Sequence, residues 1–224
     1  MIGVILAGGG KGSRIGDVPK AFLKIGRKQL LYYSIETFYK KADELVLVLP
    51  SKYVEEWKER LRSKYKNIEV VPGGEHRQDS VKAGLDTLKK GSRIIVIHDV
   101  ARPFCSETLL ARVVEGAEIY GAAAPYIEPQ DTLKEKDGEF VKKTCDRKNM
   151  VCIQTPQAFK EDIIRKAYQM AYKENLYATD DAALVEHLGV KVYLVKGERE
   201  NIKITYPLDI EIAKEIMKKW KKAG

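Results

Sequence analysis

The chain has 224 residues, of which 44% are hydrophobic and 32% charged, and its formal net charge is +8. This length can bury a sizeable core in one domain. Every apolar run is shorter than the roughly 18 residues that span a membrane, which excludes a membrane-spanning protein. The chain begins with a strand-like run rather than an export signal, so we expect a soluble, cytoplasmic protein.

The excess positive charge does not indicate nucleic acid as a partner. Lysines are spread along predicted helical faces and alternate there with glutamates. The chain has no basic stripe flanked by aromatic residues, which single-stranded nucleic acid would require. A mildly positive cleft would instead suit a small anionic substrate.

The first predicted strand leads into a loop rich in glycine. Residues 2–6 (IGVIL) have the β-branched and apolar residues of a buried strand. Because glycine lacks a Cβ, backbone N–H groups of the following loop can approach a ligand closely, and Arg14 and Lys20 add two cations. The spacing fits neither the dinucleotide fingerprint nor the Gly-Lys-Ser/Thr phosphate loop. The two cations favour a nucleoside triphosphate site over the alternative, an ordinary turn. The loop glycines are Gly8, Gly9, Gly10 and Gly12.

Helical and strand patterns then alternate along the chain. Residues Val54, Trp57, Leu61 and Tyr65 fall at helical spacing and are predicted to pack in the core. Such alternation implies right-handed crossovers and a mostly parallel sheet, so the predicted fold class is α/β. The other predicted elements are helices over 30–40, 79–90 and 106–120 and strands over 44–50, 68–72, 93–98 and 121–126.

In an open α/β sheet, ligands bind beyond the carboxyl ends of the strands. The loop over 73–80 lies at one such end. Its two glycines, Gly73 and Gly74, would let the backbone approach the edge of a base. Ser80 could either cap the following helix or donate to a ligand.

Asp99 stands at the end of the next apolar strand. A carboxylate there could coordinate Mg²⁺ or accept a hydrogen bond from a ribose hydroxyl. The alternative is a turn residue paired with Arg102. His98, in the same strand, is predicted to be a core histidine, and the three histidines of the chain form no metal site.

The segment 131–147 interrupts the alternation. Asp137-Gly138 lies between two extended runs, which predicts a β-hairpin. Most of its side chains are charged, so the hairpin cannot bury a core of its own and must lie on the body or on a second subunit. We therefore expect one domain over 1–224 with a β-arm excursion at about 131–147.

The last part of the chain returns to the alternating pattern. Predicted helices cover 160–173, 181–188 and a segment from Pro207, and a strand covers 191–195. Lys203 lies between two isoleucines, which favours an oriented, partly buried ammonium over an ordinary surface lysine.

Eight short motifs, in chain order, carry a family resemblance. They are the glycine loop with Arg14 and Pro19-Lys20, Gly73-Gly74-x-x-Arg77-x-Asp79-Ser80, HDVARP at 98–103, Asp131-Thr132, Asp146-Arg147, TPQ at 155–157, TDDA at 179–182 and NIKIT at 201–205. Together they resemble the 2-C-methyl-D-erythritol 4-phosphate cytidylyltransferases of the non-mevalonate isoprenoid pathway, over nearly the whole chain.

The resemblance implies a Rossmann-like three-layer sandwich, Mg²⁺ as cofactor, and transfer of CMP from CTP to the sugar-alcohol phosphate by a homodimer clasped through its β-arms. It assigns charge stabilisation on the triphosphate to Arg14 and Lys20, and positioning of the acceptor phosphate to Lys203 and Arg147. Arg147, with Thr132, would come from the partner subunit. The implied CTP-binding residues are Ala7, Gly8, Gly9, Gly10, Gly12, Gly74, Glu75, Ser80, Asp99 and Arg102. The implied acceptor-binding residues are Thr132, Arg147, Thr155 and Lys203, and Asp99 is the predicted metal ligand.

The chemistry of this reaction agrees with the residues present. A phosphate nucleophile is already deprotonated near neutral pH, so cations and Mg²⁺ matter more than a general base. Two alternatives stay open: a cytidylyltransferase for a pentitol phosphate such as ribitol 5-phosphate, and a non-catalytic nucleotide- or nucleic-acid-binding domain with the same fold.

Overall fold

The computed structural model describes residues 1–10 and 18–223. The strands are β1 (Ile2–Ala7), β2 (Lys24–Ile25), β3 (Lys28–Gln29), β4 (Glu44–Leu49), β5 (Ile68–Pro72), β6 (Ile94–Asp99), β7 (Ala122–Ile127), β8 (Lys134–Asp137), β9 (Phe140–Thr144), β10 (Cys152–Ile153), β11 (Gln157–Lys160) and β12 (Tyr193–Lys196). The α-helices are α1 (Leu30–Tyr39), α2 (Val54–Arg62), α3 (Arg77–Thr87), α4 (Glu107–Tyr120), α5 (Glu161–Lys173), α6 (Asp181–His187) and α7 (Pro207–Ala223).

The main sheet has the order β10-β7-β11-β6-β1-β4-β5, and β12 also pairs with β7. Strand β1 pairs in parallel with β4 and β6, and β4 pairs in parallel with β5. The predicted mostly parallel α/β fold is therefore confirmed. Two short strands are antiparallel to their neighbours: β11 lies between β6 and β7, and β10 pairs with β7. The sequence patterns predicted neither of them.

Helices cover both faces of the sheet because its central strands are apolar on both sides. Val4 and Leu6 face one cluster, which includes side chains of α1, α2, α4 and α7. Ile5 faces the other, which includes side chains of α3, α5 and α6. All three strand residues are fully buried, and burial of each contributes about 1.5–3 kcal/mol. Trp57 is buried as predicted and stacks on Phe22 at 5.3 Å between ring centroids.

The start of α3 lies closer to the preceding strand than the predicted start at residue 79. It begins at Arg77, because the Asp79 carboxylate accepts a hydrogen bond from the backbone N–H of His76 (2.9 Å) and closes the first turn. This start brings the Arg77 side chain to the same edge of the sheet as the end of β6.

Strands β8 and β9 form the predicted hairpin. They pair only with each other in the part of the chain that the structure describes. Phe140 and Val141 are 81% and 64% exposed within one chain, so the arm presents apolar side chains to its surroundings. In the same described residues, no helix is long and apolar enough to cross a membrane.

Candidate active site

The carboxyl ends of four parallel strands meet at one edge of the sheet. Ala7 at the end of β1 pairs with Val48 on one side and with Asp99 on the other. Pro72 at the end of β5 pairs with Leu49. The glycine loop, the loop over 73–80 and Asp99 therefore occupy the same edge, where ligands of open α/β sheets bind.

Two glycines allow the loops after β1 and β5 to approach each other. A Cβ at Gly9 would lie 2.7 Å from the Ser80 Oγ and 3.2 Å from the Cα of Gly73. A Cβ at Gly73 would also lie 2.7 Å from the Ser80 Oγ. A side chain at either position would displace the Ser80 hydroxyl and push the two loop backbones apart by a few tenths of an ångström. Gly8 continues the contact, since its N–H donates to the carbonyl oxygen of Val48 at 2.9 Å.

The predicted base-binding loop leads into the start of α3. Gly74 and Glu75 are exposed there, whereas Ser80 is buried and its hydroxyl donates to the carbonyl of His76 (3.2 Å). Asp79 ties the loop to α5, because the Tyr172 hydroxyl of that helix donates to its carboxylate at 2.6 Å. The exposed backbone at Gly74 and Glu75 is thus available to a ligand. The Ser80 hydroxyl serves the helix in this structure, and its role in binding stays a prediction.

Asp99 is paired with two cations, and neither of them is Arg102. Its Oδ1 accepts from the Arg77 Nε at 2.8 Å, and its Oδ2 lies 2.6 Å from the Lys203 Nζ. Burial raises the pKa of Asp99, but the attraction of Arg77 and Lys203 outweighs it and holds the pKa far below the usual range. The carboxylate is therefore ionised at neutral pH. The alternative considered from the sequence is correct for the backbone, since the Arg102 N–H donates to the Asp99 carbonyl at 2.9 Å, but the Asp99 carboxylate forms no ion pair with Arg102 among the described residues.

Lys203 has the oriented ammonium that its flanking isoleucines predicted. Ile204 is fully buried and Ile202 is half-buried, which fixes the backbone on either side. The Lys203 side chain is 43% exposed, and Asp99 holds its ammonium from one side. The other side of the ammonium is open to an anionic ligand at the edge of the sheet.

Arg102 supports the neighbouring backbone. Its Nη1 donates to the carbonyl of Asn201 at 2.9 Å, so it joins the end of β6 to the segment that carries Lys203. Burial lowers the pKa of Arg102, although Asp99 raises it. A direct contact of Arg102 with CTP stays a prediction.

Thr155 holds the end of β6 from the other side. Its hydroxyl oxygen accepts from the backbone N–H of Asp99 (3.0 Å) and also bonds to the His98 Nδ1 (3.1 Å). His98 is fully buried, and burial lowers its pKa to about 4, so its ring is neutral at pH 7. The Nε2–H then donates to the carbonyl of Arg102, which leaves Nδ1 to accept the Thr155 proton. Acceptor binding by Thr155 stays a prediction.

The other predicted acceptor residues lie at the base of the β-arm. Thr132 is exposed, and Arg147 is exposed with its Nη1 donating to the carbonyl of Gln130 at 2.7 Å. An open groove of about 830 Å³ adjoins Arg147 and is lined by Arg199, Met150 and Leu194 among others. Arg147 therefore presents a cation at a surface large enough for a ligand or for another chain.

The loop cations belong to a segment that the structure describes only in part. Lys20 begins a short 3₁₀ turn that ends at Phe22 and is half-buried. Arg14 and Gly12 lie outside the described residues, so their predicted roles stay predictions. At the start of the loop, Ala7 is half-buried and Gly10 is exposed.

The described side chains at this edge offer a magnesium ion no ready protein cage. Within residues 1–10 and 18–223, no three His, Cys, Asp or Glu side chains come together as ligands. Asp99 would have to give up Arg77 or Lys203 to bind a metal directly, because each of its oxygens already has a cationic partner. The described side chains alone do not enclose the ion, and metal ligation by Asp99 stays a prediction.

Sequence reasoning gave no role to Arg77 and treated Asp181 only as part of a helix start. Arg77 joins Asp99 to Asp181, whose Oδ2 accepts from its Nη2 at 2.7 Å. Burial lowers the pKa of Arg77, but the two carboxylates more than offset this and raise it well above the usual value. One signal was available: Arg77 lies in the loop after the predicted strand over 68–72, at the same edge of the sheet as the predicted carboxylate of Asp99.

An open, mostly parallel sheet with a glycine loop after β1 and an oriented lysine at its carboxyl edge is the arrangement of a nucleotide-binding α/β protein. The family model for 2-C-methyl-D-erythritol 4-phosphate cytidylyltransferase matches residues 1–219. The chain therefore belongs to this family.

Individual relatives agree with the family match. The protein named 2-C-methyl-D-erythritol 4-phosphate cytidylyltransferase from Clostridium botulinum (strain Eklund 17B) is 40% identical over 97% of this chain and 99% of its own. The crystal structure of the protein of that name from Thermus thermophilus has a TM-score of 0.82 at 35% identity, covering 96% of this chain and 98% of its own. The crystal structure of 4-diphosphocytidyl-2C-methyl-D-erythritol synthase from Anaerococcus prevotii has a TM-score of 0.86 at 31% identity. The match covers 97% of this chain and 98% of that one.

Proposed function

We propose that this chain transfers CMP from CTP to 2-C-methyl-D-erythritol 4-phosphate, giving 4-diphosphocytidyl-2-C-methyl-D-erythritol and pyrophosphate. An oxygen of the acceptor phosphate attacks the α-phosphorus of CTP in line, and the bond from that phosphorus to the bridging oxygen of the β-phosphate breaks. Pyrophosphate leaves with that oxygen. The observation that carries the proposal is the Lys203 ammonium, held 2.6 Å from Asp99 at the edge where Ala7 and Asp99 pair.

The main barrier to this reaction is the approach of two polyanions. Preorganised cations at the reacting phosphates lower that barrier, and they cost no reorganisation when the charge shifts. Lys203 is such a cation, because Asp99 fixes its ammonium before any substrate binds. Its role is to hold the acceptor phosphate, with Arg147, while Arg14 and Lys20 stabilise charge on the triphosphate.

The nucleotide would lie across the loops after β1 and β5. The close approach of Gly9 to Gly73 and Ser80 brings the backbone of Ala7–Gly10 next to the exposed backbone of Gly74 and Glu75. Backbone N–H and C=O groups in a fixed arrangement can read the edge of one base, which supports selection of cytosine. Gly12 would add a further backbone contact to the triphosphate.

Magnesium dependence is part of the proposal. Mg²⁺ commonly binds substrate phosphates and water together with only one or two carboxylates, so a protein cage is unnecessary. Removal of divalent cations with EDTA should abolish turnover, and addition of Mg²⁺ in excess should restore it. Full turnover in EDTA would contradict this part.

The proposed active form is a homodimer with shared sites, in which Thr132 and Arg147 of one chain serve the acceptor site of the other. The paired but isolated β8–β9 arm, with Phe140 and Val141 exposed, supports it, because a two-stranded hairpin is marginally stable unless it packs on something.

Pyrophosphate release tests the reaction itself. The chain with CTP and 2-C-methyl-D-erythritol 4-phosphate should release pyrophosphate, whereas either substrate alone should not. Lys203→Met should lower the rate strongly, and the matched Lys214→Met, which removes an exposed lysine paired with Glu211, should not. Faster release with ribitol 5-phosphate would favour the pentitol alternative, and no release with either acceptor would favour a non-catalytic binding domain.

A further inference from the structure

A continuous chain of hydrogen bonds and ion pairs runs behind the acceptor-side lysine. The Tyr168 hydroxyl donates to the Asp181 Oδ1 at 2.6 Å, and the Arg77 Nη2 donates to the Asp181 Oδ2 at 2.7 Å. The Arg77 Nε then donates to the Asp99 Oδ1 at 2.8 Å, and the Asp99 Oδ2 lies 2.6 Å from the Lys203 Nζ. These residues come from α5, α6, α3, β6 and the segment before α7, so the series of hydrogen bonds connects distant parts of the sequence.

This series of hydrogen bonds and ion pairs is buried at its Tyr168 end and exposed to solvent at its Lys203 end. Tyr168, Asp181 and Asp99 are buried, with 1%, 0% and 6% of their surfaces exposed. The Lys203 side chain is 43% exposed. Two cations and two carboxylates cancel in charge, so the network places an ammonium at the cleft without adding net charge to the interior.

We propose that Arg77 is a positioning residue for Lys203, acting through Asp99. This inference rests on the proposed function, because it assigns to Lys203 the task of holding the acceptor phosphate. Arg77 bridges the two carboxylates and keeps the Asp99 carboxylate turned so that one oxygen faces Lys203. The ammonium then stands at a fixed point of the cleft rather than sampling the rotamers of a free lysine.

Loss of Arg77 would change the position and the charge of this site together. Asp99 Oδ1 would lose its donor, so the carboxylate could turn fully toward Lys203 and draw the ammonium away from the cleft. Two carboxylates would then face one cation, which leaves a net negative charge beside an anionic substrate. A lysine at this position restores the charge, but it cannot reach both carboxylates with the parallel donors of a guanidinium.

Steady-state kinetics test the assignment. Arg77→Met should lower kcat/KM for the acceptor by about 100-fold, a loss that misplacement of a binding group by roughly 1 Å can cause, with the KM for CTP changed by less than about threefold. Lys82→Met is the matched control, because it removes a cation from the same helix whose partner is Asp86. It should leave both substrates unaffected. An equal rise in the KM for CTP and in the KM for the acceptor would mean that Arg77 merely supports α3.

A double-mutant cycle separates positioning from an independent effect. If Arg77 acts through Lys203, adding Arg77→Met to Lys203→Met should change kcat/KM by less than about threefold. If the loss of kcat/KM in the double variant equals the product of the losses in the two single variants, the proposal is overturned. Arg77→Lys should recover only part of the loss, and it also provides the test if Arg77→Met does not fold. Full wild-type activity in Arg77→Lys would show that the bridge is unnecessary.

A crystal structure of Arg77→Met tests the positioning role independently of the proposed function. If only Arg77→Lys folds, its crystal structure serves the same purpose. The Asp99 carboxylate should turn and the Lys203 ammonium should move by roughly 1 Å. Unchanged positions of both groups would overturn the inference even in an active cytidylyltransferase. Moved groups in a protein without cytidylyltransferase activity would instead support the positioning and contradict the proposed function.

Discussion

His98 should make the stability of this protein depend on pH in a defined window. The ring is fully buried, with its centroid 4.6 Å from that of Phe38, and it hydrogen bonds to Thr155 and to the Arg102 carbonyl. Burial lowers its pKa from 6.5 to about 4, because the charged ring loses its solvation. Protonation would also place a proton on Nδ1, where the Thr155 hydroxyl donates.

The sign and the size of the effect follow from these two pKa values. The folded state prefers the neutral ring, so its contribution to stability is fully present above about pH 6.5 and is lost as the pH falls from 6.5 to 4. The whole difference corresponds to about 3 kcal/mol, and about 2 kcal/mol of it should be lost between pH 7 and pH 5. Asp99 adds to the loss only below about pH 4, because the unfolded carboxyl takes up a proton near its ordinary pKa of 3.8 while the folded carboxyl stays ionised.

Urea unfolding at pH 7, 6 and 5 measures this loss. His98→Gln removes the titrating ring and keeps a side-chain amide that can donate to the Arg102 carbonyl. Its free energy of unfolding at pH 7 should be lower than that of the wild type, and the gap between the two proteins should narrow by about 2 kcal/mol at pH 5. A gap that stays constant across this range would refute the reasoning, because it would mean that the folded and unfolded rings titrate alike.

Three further predictions concern the reaction. Arg14→Ala or Lys20→Ala should each lower turnover at least about 100-fold with little change in the unfolding midpoint, and near-normal turnover in a folded Lys20→Ala protein would contradict its assignment. CTP should be strongly preferred to UTP, ATP and GTP in pyrophosphate release, and comparable rates with ATP would contradict base selection at Gly74 and Ser80. Mixing Lys20→Ala with Arg147→Ala should recover up to about a quarter of wild-type activity if sites are shared, since one site in each heterodimer is intact. A monomer by light scattering at assay concentration would end that proposal.

Most of the fold was predictable because its helices have one strongly apolar face and its central strands are apolar on both faces. The predicted strand over 68–72 and helix over 160–173 differ from β5 and α5 by at most one residue. Strand β11 was missed because its four residues (QAFK) are too few to show a period. Its place between β6 and β7 depends on pairing with Ile95 and Ala122, distant in sequence.

The candidate site was predictable where it follows from backbone topology. Strands β1, β5 and β6 end at one edge, so the order of the elements alone was enough to place the loops after them together. Side-chain partners were less predictable, because sequence proximity suggested Arg102 for Asp99. The observed partners, Arg77 and Lys203, lie 22 positions before and 104 positions after Asp99. Ion pairs of this kind depend on how helices pack on the sheet, which spacing alone does not encode.

Isotope labelling tests the proposed CMP transfer most directly. The acceptor, 2-C-methyl-D-erythritol 4-phosphate, is prepared with ¹⁸O in its phosphate and incubated with the protein, CTP and Mg²⁺, and the products are analysed by ³¹P NMR and mass spectrometry. Attack by the acceptor phosphate on the α-phosphorus predicts that all the label stays in the cytidyl diphosphate product, with one labelled oxygen bridging its two phosphorus atoms, and that the released pyrophosphate carries none. Label in the pyrophosphate, or CMP released without a labelled diphosphate, would contradict the proposed transfer.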